Sequence, residues 1–132
     1  MKKKILIVMA DYYETISKGL LHNTKKVLQE QFDLISVPGV FEIPVTIAKN
    51  IKKYDGFIAL GCVIKGETPH FDLISKAAID GIMKLSIEYK KPIGNGIITC
   101  LNLKQAIARQ KKGQEAAAAL LSVLNPVKVS AE

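Results

Sequence analysis

Two continuous apolar runs constrain the fold of this chain more than any other feature of its sequence. Ile5 to Met9 and Gly56 to Cys62 carry apolar or small residues at every position, without the alternation typical of a half-buried strand. A strand of this composition is expected to be buried on both faces, as in a parallel sheet covered by helices. The runs therefore indicate an α/β fold.

Helical and strand-like segments alternate along the rest of the chain. Asp33 to Val37 and Ile93 to Cys100 are two further predicted strands, and the Ala-rich segment Glu115 to Leu124 predicts a last helix after an interruption at Lys112-Gly113. Alternation of this kind predicts a three-layer sandwich, with a four-stranded parallel sheet and helices on both faces. We expect residues 1–132 to form one domain, because no linker or repeat divides them.

The loops that follow the predicted strands define where a ligand is expected. The third strand is predicted to end at Cys62, and a loop from Val63 to His70 leads into a long helix. Asn102 is a predicted helix cap after the fourth strand, and its helix is expected to run through Arg109. In sheets of this architecture ligands bind at the carboxyl ends of the strands.

The net charge of +7 at pH 7 raises the possibility of nucleic-acid binding. The lysines are spread along the chain from Lys2 to Lys128, however, and no known reader motif or aromatic array accompanies them. A solvated basic surface is therefore favoured, with no nucleic-acid partner. Only Arg109 among the nineteen cationic residues is arginine, which makes it a candidate for a planar, bidentate anion clamp.

The cysteines and the length of the apolar runs predict a cytoplasmic protein. Cys62 and Cys100 lack CxxC spacing and nearby histidines, so neither a disulfide framework nor a zinc site is expected. No apolar run approaches the roughly 20 residues that span a bilayer, so we expect no membrane association.

The segment GCVIKGETPHFD, residues 61–72, combines a strand, a glycine loop and a helix start. Backbone N–H groups at a helix N-terminus, assisted by the Thr68 hydroxyl, can bind a phosphate. His70 lies at the same edge and can both accept and donate a proton near neutral pH. We interpret His22, midway along the first helix, as a surface residue. The turn after the first strand lacks the GxGxxG and GxxxxGK[ST] motifs, which argues against dinucleotide and P-loop sites.

The segment PGVFEIP, residues 38–44, places a carboxylate and an aromatic ring at the end of the second strand. Glu42 either complements the dipole of the helix that follows or accepts hydrogen bonds from substrate hydroxyls. Phe41 or Tyr12 is suited to stacking on a planar ring. The sequence does not decide between the two roles of Glu42.

These two segments resemble the signatures of lumazine synthases. The resemblance runs from about Lys4 to Leu124 and includes the stretches PIGNGIIT, residues 92–99, and QAIAR, residues 105–109. It implies a flavodoxin-like sheet and homopentamers with active sites between subunits. The implied reaction joins a ribitylamino-pyrimidine to a four-carbon ketone phosphate, through a Schiff base, phosphate elimination and ring closure. No metal or redox cofactor is required.

The resemblance also implies a role for each matching residue. His70 would transfer protons, while Asn95, Arg109 and Lys112 would come from the adjacent subunit. The phosphate would be held by Gly66, Glu67, Thr68 and Arg109, with Lys112 as a further candidate. The pyrimidine and ribityl chain would contact Tyr12, Val40, Phe41, Glu42, Cys62, Val63, Ile64 and Asn95.

The sequence departs from the family pattern at three points. Asn95 stands where many members carry an aromatic residue, and the segment between Arg109 and Lys112 is shorter than in many relatives. The first predicted strand begins almost at Met1, whereas shell-forming members carry an extra N-terminal strand, so we expect a pentamer, or a loose assembly of pentamers, rather than a closed shell. The alternative function is a non-catalytic assembly protein of the same fold that binds flavin or lumazine.

Overall fold

The computed structural model describes residues 2–130, in which strands and helices alternate as the sequence predicts. The helices are α1 (Glu14–Val27), α2 (Ile43–Asn50), α3 (His70–Tyr89), α4 (Leu103–Ala108) and α5 (Lys112–Leu124), and a 3₁₀ turn (Val40–Glu42) leads directly into α2. The strands are β1 (Ile5–Ala10), β2 (Phe32–Val37), β3 (Gly56–Ile64) and β4 (Ile93–Cys100).

The four strands form one parallel sheet in the order β2-β1-β3-β4. Val8 in the middle of β1 pairs with Ile35 on one side and Ala59 on the other. This order is that of the first four strands of flavodoxin-like sheets. The predicted fold class is therefore confirmed.

The side chains of β1 alternate between two hydrophobic cores. Ile5, Ile7 and Met9 pack with α1, α4 and α5, whereas Leu6 and Val8 pack on the opposite face with α2 and α3. Burying a side chain such as Ile7 contributes about 1.5 to 3 kcal/mol, so the two faces together hold the sheet between its helix layers. Within residues 2–130 no helix is long and apolar enough to cross a membrane.

Strand β3 is two residues longer than predicted. Its pairing with β4 continues to Ile64 beside Cys100, and the Lys65 N–H then donates to the Cys100 carbonyl oxygen at 2.8 Å. Val63 and Ile64 are therefore strand residues rather than loop residues, and the loop before α3 begins at Lys65.

The break between the last two helices lies earlier than the sequence indicated. Helix α4 ends at Ala108, and α5 begins at Lys112, so Lys112-Gly113 opens a helix instead of interrupting one. A Cβ atom at Gly113 would lie 2.2 Å from the Leu20 carbonyl oxygen, so a glycine is needed where α5 crosses α1. The predicted cap is confirmed, because the Asn102 side chain accepts a hydrogen bond from the Gln105 N–H at 2.9 Å.

Candidate active site

The carboxyl ends of β1, β2 and β3 meet at one edge of the sheet, where the 3₁₀ turn packs against β3. Gly61 makes this contact possible, because a Cβ atom there would lie 2.7 Å from Val40 Cγ2 and 3.2 Å from Ala10 Cβ. Helix α3 also packs against the 3₁₀ turn. We call the predicted residues at this edge the strand-end group: Tyr12, Val40, Phe41, Glu42, Cys62, Val63, Ile64, Gly66, Glu67, Thr68 and His70.

Two aromatic rings of the strand-end group are left largely uncovered by the fold. The Tyr12 side chain is 76% exposed, and Phe41 is 61% exposed. The Tyr12 ring contacts Tyr13 edge to face, with 4.9 Å between centroids, while burial raises the pKa of the Tyr13 hydroxyl. Exposed rings of this size have no packing role in the chain itself, so they are available to a planar ligand.

Glu42 has a local structural role, which is a hydrogen bond within the 3₁₀ turn. Its Oε1 atom accepts a hydrogen bond from the Gly39 N–H at 2.9 Å and closes the 3₁₀ turn. The hydrogen bonds found within residues 2–130 use only this oxygen of the carboxylate. The half-buried side chain is thus held in place with a second oxygen that can accept a bond from a ligand hydroxyl.

The loop after β3 is open to solvent. Residues 65–70 are exposed, and a Cβ atom at Gly66 would have no neighbour within 4 Å. The Thr68 Oγ1 atom accepts a long hydrogen bond of 3.4 Å from the His70 N–H, at the first residue of α3. A helix start with exposed N–H groups, a hydroxyl and an imidazole has the donors that a phosphate requires.

Cys62 lies in the core below this loop and is unsuited to act as a nucleophile. Burial and, to a lesser extent, the neighbouring Cys100 thiol together raise the pKa of its thiol to about 12. The reactive form of cysteine is the thiolate, so Cys62 stays neutral and unreactive at physiological pH. Both cysteines are free and buried.

Asn95, Arg109 and Lys112 lie together in a second place, a pocket of about 490 Å³ at the edge strand β4. The Arg109 Nη1 atom donates to the Thr99 carbonyl oxygen at 3.1 Å, and the Asn95 Oδ1 atom accepts from the Ile97 N–H at 3.0 Å. We call this the β4 pocket. Its lining includes Ile79, Asn95, Ile97, Ile98, Thr99, Ala108, Arg109, Lys111, Lys112 and Glu115.

The structure therefore divides the predicted residues between two neighbouring groups, which adjoin where Cys62 and Val63 of β3 pair with Ile98 and Thr99 of β4. None of the strand-end group lines the β4 pocket among the residues described. The Lys112 Nζ atom lies 3.8 Å from the Glu115 Oε1 atom. The sequence also predicted Arg109 as a cation of the site, and within residues 2–130 Arg109 has no carboxylate partner. Each group offers some of the side chains that would bind a phosphate ester and a planar molecule beside it.

Sequence reasoning missed the residues that complete the β4 pocket. The Thr99 carbonyl that holds Arg109 is a main-chain atom, for which a sequence carries no signal. Ile79 comes from α3, far away in the chain, and only the tertiary fold brings it to β4. No group of three or more metal-binding side chains occurs in the described part of the chain.

The chain is similar to proteins of one family over nearly its full length. Residues 2–128 match the family model described as 6,7-dimethyl-8-ribityllumazine synthase. Relatives with that name include a Bartonella bacilliformis protein, 45% identical over 118 residues that cover 84% of this chain and 78% of the relative. An Agrobacterium fabrum protein is 41% identical over 138 residues, with 93% of each chain covered, and a Limosilactobacillus reuteri protein is 39% identical over 135 residues, with 96% and 89% covered.

Proposed function

The chain belongs to the 6,7-dimethyl-8-ribityllumazine synthase family, and we propose that it catalyses the reaction for which the family is named. The substrates are 5-amino-6-(D-ribitylamino)uracil and 3,4-dihydroxy-2-butanone 4-phosphate, and the product is 6,7-dimethyl-8-ribityllumazine, in the penultimate step of riboflavin biosynthesis. The observation that carries this proposal is the family match over residues 2–128, which includes both groups of site residues.

The strand-end group binds the pyrimidine and its ribityl chain in this proposal. The exposed rings of Tyr12 and Phe41 contact the flat heterocycle, with Val40, Val63 and Ile64 beside them. The unused oxygen of Glu42 accepts hydrogen bonds from ribityl hydroxyls. Cys62 contributes through its main chain, since its buried thiol stays protonated.

The loop after β3 binds the ketone phosphate. Exposed N–H groups around Gly66 and Glu67, together with the Thr68 hydroxyl, receive the phosphate oxygens at the start of α3. The amine attacks the ketone carbonyl and water leaves to give a Schiff base. Loss of a carbon-bound proton then expels phosphate, and the second nitrogen closes the ring with loss of another water.

His70 is the proton-transfer residue in these steps. Its exposed imidazole stands at the first residue of α3, beside the loop that receives the phosphate. General acid-base help of this kind contributes about 10² to 10⁴ in rate, whereas holding both substrates in place contributes about 7 to 11 kcal/mol at best. Removing His70 is therefore expected to slow the reaction while the positioning of the substrates is kept.

The β4 pocket completes the site of a neighbouring subunit. Arg109 clamps the phosphate, Asn95 contacts the heterocycle, and Lys112 is a further candidate for the anion. The separation of these residues from the strand-end group supports a shared site, because one chain alone offers two partial sites. Exposed apolar side chains on α3 and α4 also support assembly, and we propose a homopentamer: Leu73, Met83, Ile87, Leu103 and Ile107.

The remaining parts of the proposal concern cofactors, the cellular compartment and the domain organisation. Condensation, elimination and ring closure involve no net oxidation or reduction, so the protein needs no redox cofactor. Two buried free thiols are compatible with a reducing cytoplasm. Residues 1–132 act as one domain, which is supported by a single sheet with both faces covered.

The direct test combines the purified protein with both substrates and follows the fluorescent lumazine product. We expect formation well above the uncatalysed background, with Arg109→Ala losing most of it and His70→Ala losing part. Background rates from a correctly folded oligomer would contradict the proposal. Retention of lumazine or riboflavin without product formation would instead identify a non-catalytic binder of the same fold.

Mixing two impaired variants tests whether the site is shared. His70→Ala removes a residue of the strand-end group, and Arg109→Ala removes one of the β4 pocket, so mixed oligomers contain some intact sites. We expect partial recovery of activity after subunit exchange. No recovery, with exchange verified by mass spectrometry of differently tagged subunits, would place both residues in one subunit's site.

A further inference from the structure

The net charge of the protein is concentrated at one end of the fold. We call this end the amino pole: the strands begin there, and α1, α2, α3 and α5 end there. The described residues of the pole include eleven lysines and four carboxylates, while the rest of the described chain has eight cationic residues and seven carboxylates. The lysines of the pole are Lys2, Lys3, Lys4, Lys25, Lys26, Lys49, Lys52, Lys53, Lys90, Lys91 and Lys128.

These lysines are not neutralised by the chain itself. Within residues 2–130 none of them forms an ion pair, and the ion pairs of the described chain lie elsewhere, at Lys18, Lys76 and Lys112. Two of the pole's carboxylates bind neutral donors instead. Asp33 accepts from the Tyr54 hydroxyl at 2.6 Å, and Asp55 accepts from the Lys4 N–H at 2.7 Å.

Helix dipoles account for only part of this charge. Lysines in the last turn of a helix interact favourably with its partial negative charge, as Lys25 and Lys26 do in α1. Lys2 to Lys4 precede a strand, however, and Lys128 follows the end of α5 in an exposed segment. The pole therefore carries more positive charge than its helix ends explain.

An open groove of about 980 Å³ runs across the same pole. Its lining combines Lys2, Lys3 and Lys4 with the amide side chains of Gln29, Gln31 and Asn125, and with the rings of Phe32 and Tyr54. Glu30 and Asp33 also line it, and Asp33 is occupied by Tyr54. Lysine and amide groups are the donors that proteins use toward phosphate and sugar oxygens.

We propose that the amino pole binds the phosphate backbone of a nucleic acid, without preference for base sequence, on a surface remote from the strand-end group. The charge comes from lysine, which acts as a point charge rather than as a bidentate reader of bases. A bilayer is less well matched, because stable membrane binding needs an apolar anchor as well as charge. The exposed apolar side chains of the pole are divided among separate segments rather than aligned on one amphipathic helix: Ile87 and Tyr89 end α3, Val123 is near the end of α5, and Val127 and Val129 follow in a segment that is not helical.

This inference replaces the expectation that the basic surface has no nucleic-acid partner. That expectation rested on the spread of lysines along the sequence, whereas the fold brings eleven of them to one end. The proposal does not depend on the reaction catalysed, since the pole and the strand-end group lie at opposite ends of the strands.

The test measures binding of a fluorescein-labelled single-stranded RNA of about 20 nucleotides by anisotropy, from 50 to 200 mM salt. One variant removes four pole charges (Lys25→Gln, Lys26→Gln, Lys52→Gln, Lys53→Gln), and a matched control removes four others (Lys18→Gln, Lys76→Gln, Lys84→Gln, Lys104→Gln). For the pole variant we expect a salt slope smaller by about 3, since each single-strand phosphate contact contributes about 0.7. Binding should therefore be about 100-fold weaker than that of the wild type at 50 mM salt and about twofold weaker at 200 mM. We expect the control to bind within about twofold of the wild type.

Equal losses in the two variants would show that net charge alone is responsible and would overturn the proposal, as would undetectable binding by the wild type at 50 mM salt. Binding to vesicles with anionic lipid that is lost in the pole variant, without RNA binding, would identify a membrane instead. Lumazine formation serves as the folding control, because both variants are expected to keep the wild-type rate.

Discussion

The Oδ1 atom of Asn95 accepts a hydrogen bond from the backbone N–H of Ile97, 3.0 Å away, on the edge strand β4. An edge strand leaves part of its N–H groups without a partner strand, and this side chain satisfies one of them. With the oxygen engaged, the amide nitrogen is the group of Asn95 that remains to donate within the β4 pocket.

Asn95→Asp separates these two roles, because a carboxylate keeps the acceptor for Ile97 and removes the donor. We expect the melting temperature of this variant to stay within about 2 °C of that of the wild type. KM for the pyrimidine is expected to rise about tenfold, which corresponds to the loss of one hydrogen bond of about 1.4 kcal/mol. Asn95→Ala is the comparison, since it also loses the bond to Ile97 and is expected to be less stable. Wild-type kinetics in Asn95→Asp would leave Asn95 with a structural role only.

Arg109→Lys tests whether the planar guanidinium is needed or only its charge. Lysine keeps the positive charge but cannot bind the Thr99 carbonyl and a phosphate through one rigid fork. We expect KM for the ketone phosphate to rise about tenfold or more, with KM for the pyrimidine changed less than about twofold. Lys111→Gln, which changes charge in the same pocket, is the matched control and should leave both values near those of the wild type.

Gly61→Ala tests the contact between β3 and the 3₁₀ turn. The added methyl would lie 2.7 Å from Val40 Cγ2, so the turn that carries Phe41 and Glu42 has to move. We expect a loss of about 1 to 3 kcal/mol in the free energy of unfolding, measured by urea denaturation, and weaker binding of the pyrimidine. Gly66→Ala is the control for stability, because its added methyl meets no atom within 4 Å.

The pH dependence of stability reports on Cys62. Because burial raises the pKa of this thiol from 9.0 to about 12, the unfolded chain loses its proton at a lower pH than the folded chain. The favourable contribution is complete below about pH 9 and is lost as the pH rises toward 12. We therefore expect the stability advantage of the wild type over Cys62→Ala, followed by thermal unfolding, to shrink between pH 7 and 10. A constant difference would contradict a buried, neutral thiol.

The sheet was predictable because its signal is local. Runs such as Ile5 to Met9 must be buried on both faces, whichever helices cover them, so the α/β class follows from composition along short segments. The end of β3 was less predictable. Val63 and Ile64 belong to the strand because β4 continues to Cys100 beside them, and pairing between distant segments leaves no local pattern.

The candidate site was likewise predictable only where the signal is local. Motifs placed Tyr12, Phe41 and His70 at strand ends, because the position of a strand end follows from the chain order. Their separation from Arg109 and Asn95 depends on how α4 and α5 pack beside β4, which spacing along the chain does not contain. The lysines of the amino pole are a further case, since they lie near several different elements and only the fold brings those elements together.

The anchor that holds Arg109 is a main-chain oxygen, and this affects which substitutions the enzyme can accept in evolution. Because every residue type supplies the same carbonyl, the identity of the side chain at Thr99 is not part of the anchor. A library that randomises this position should therefore yield more active members than one that randomises position 109. In the proposed site the clamp therefore tolerates changes at its support better than changes at the arginine itself.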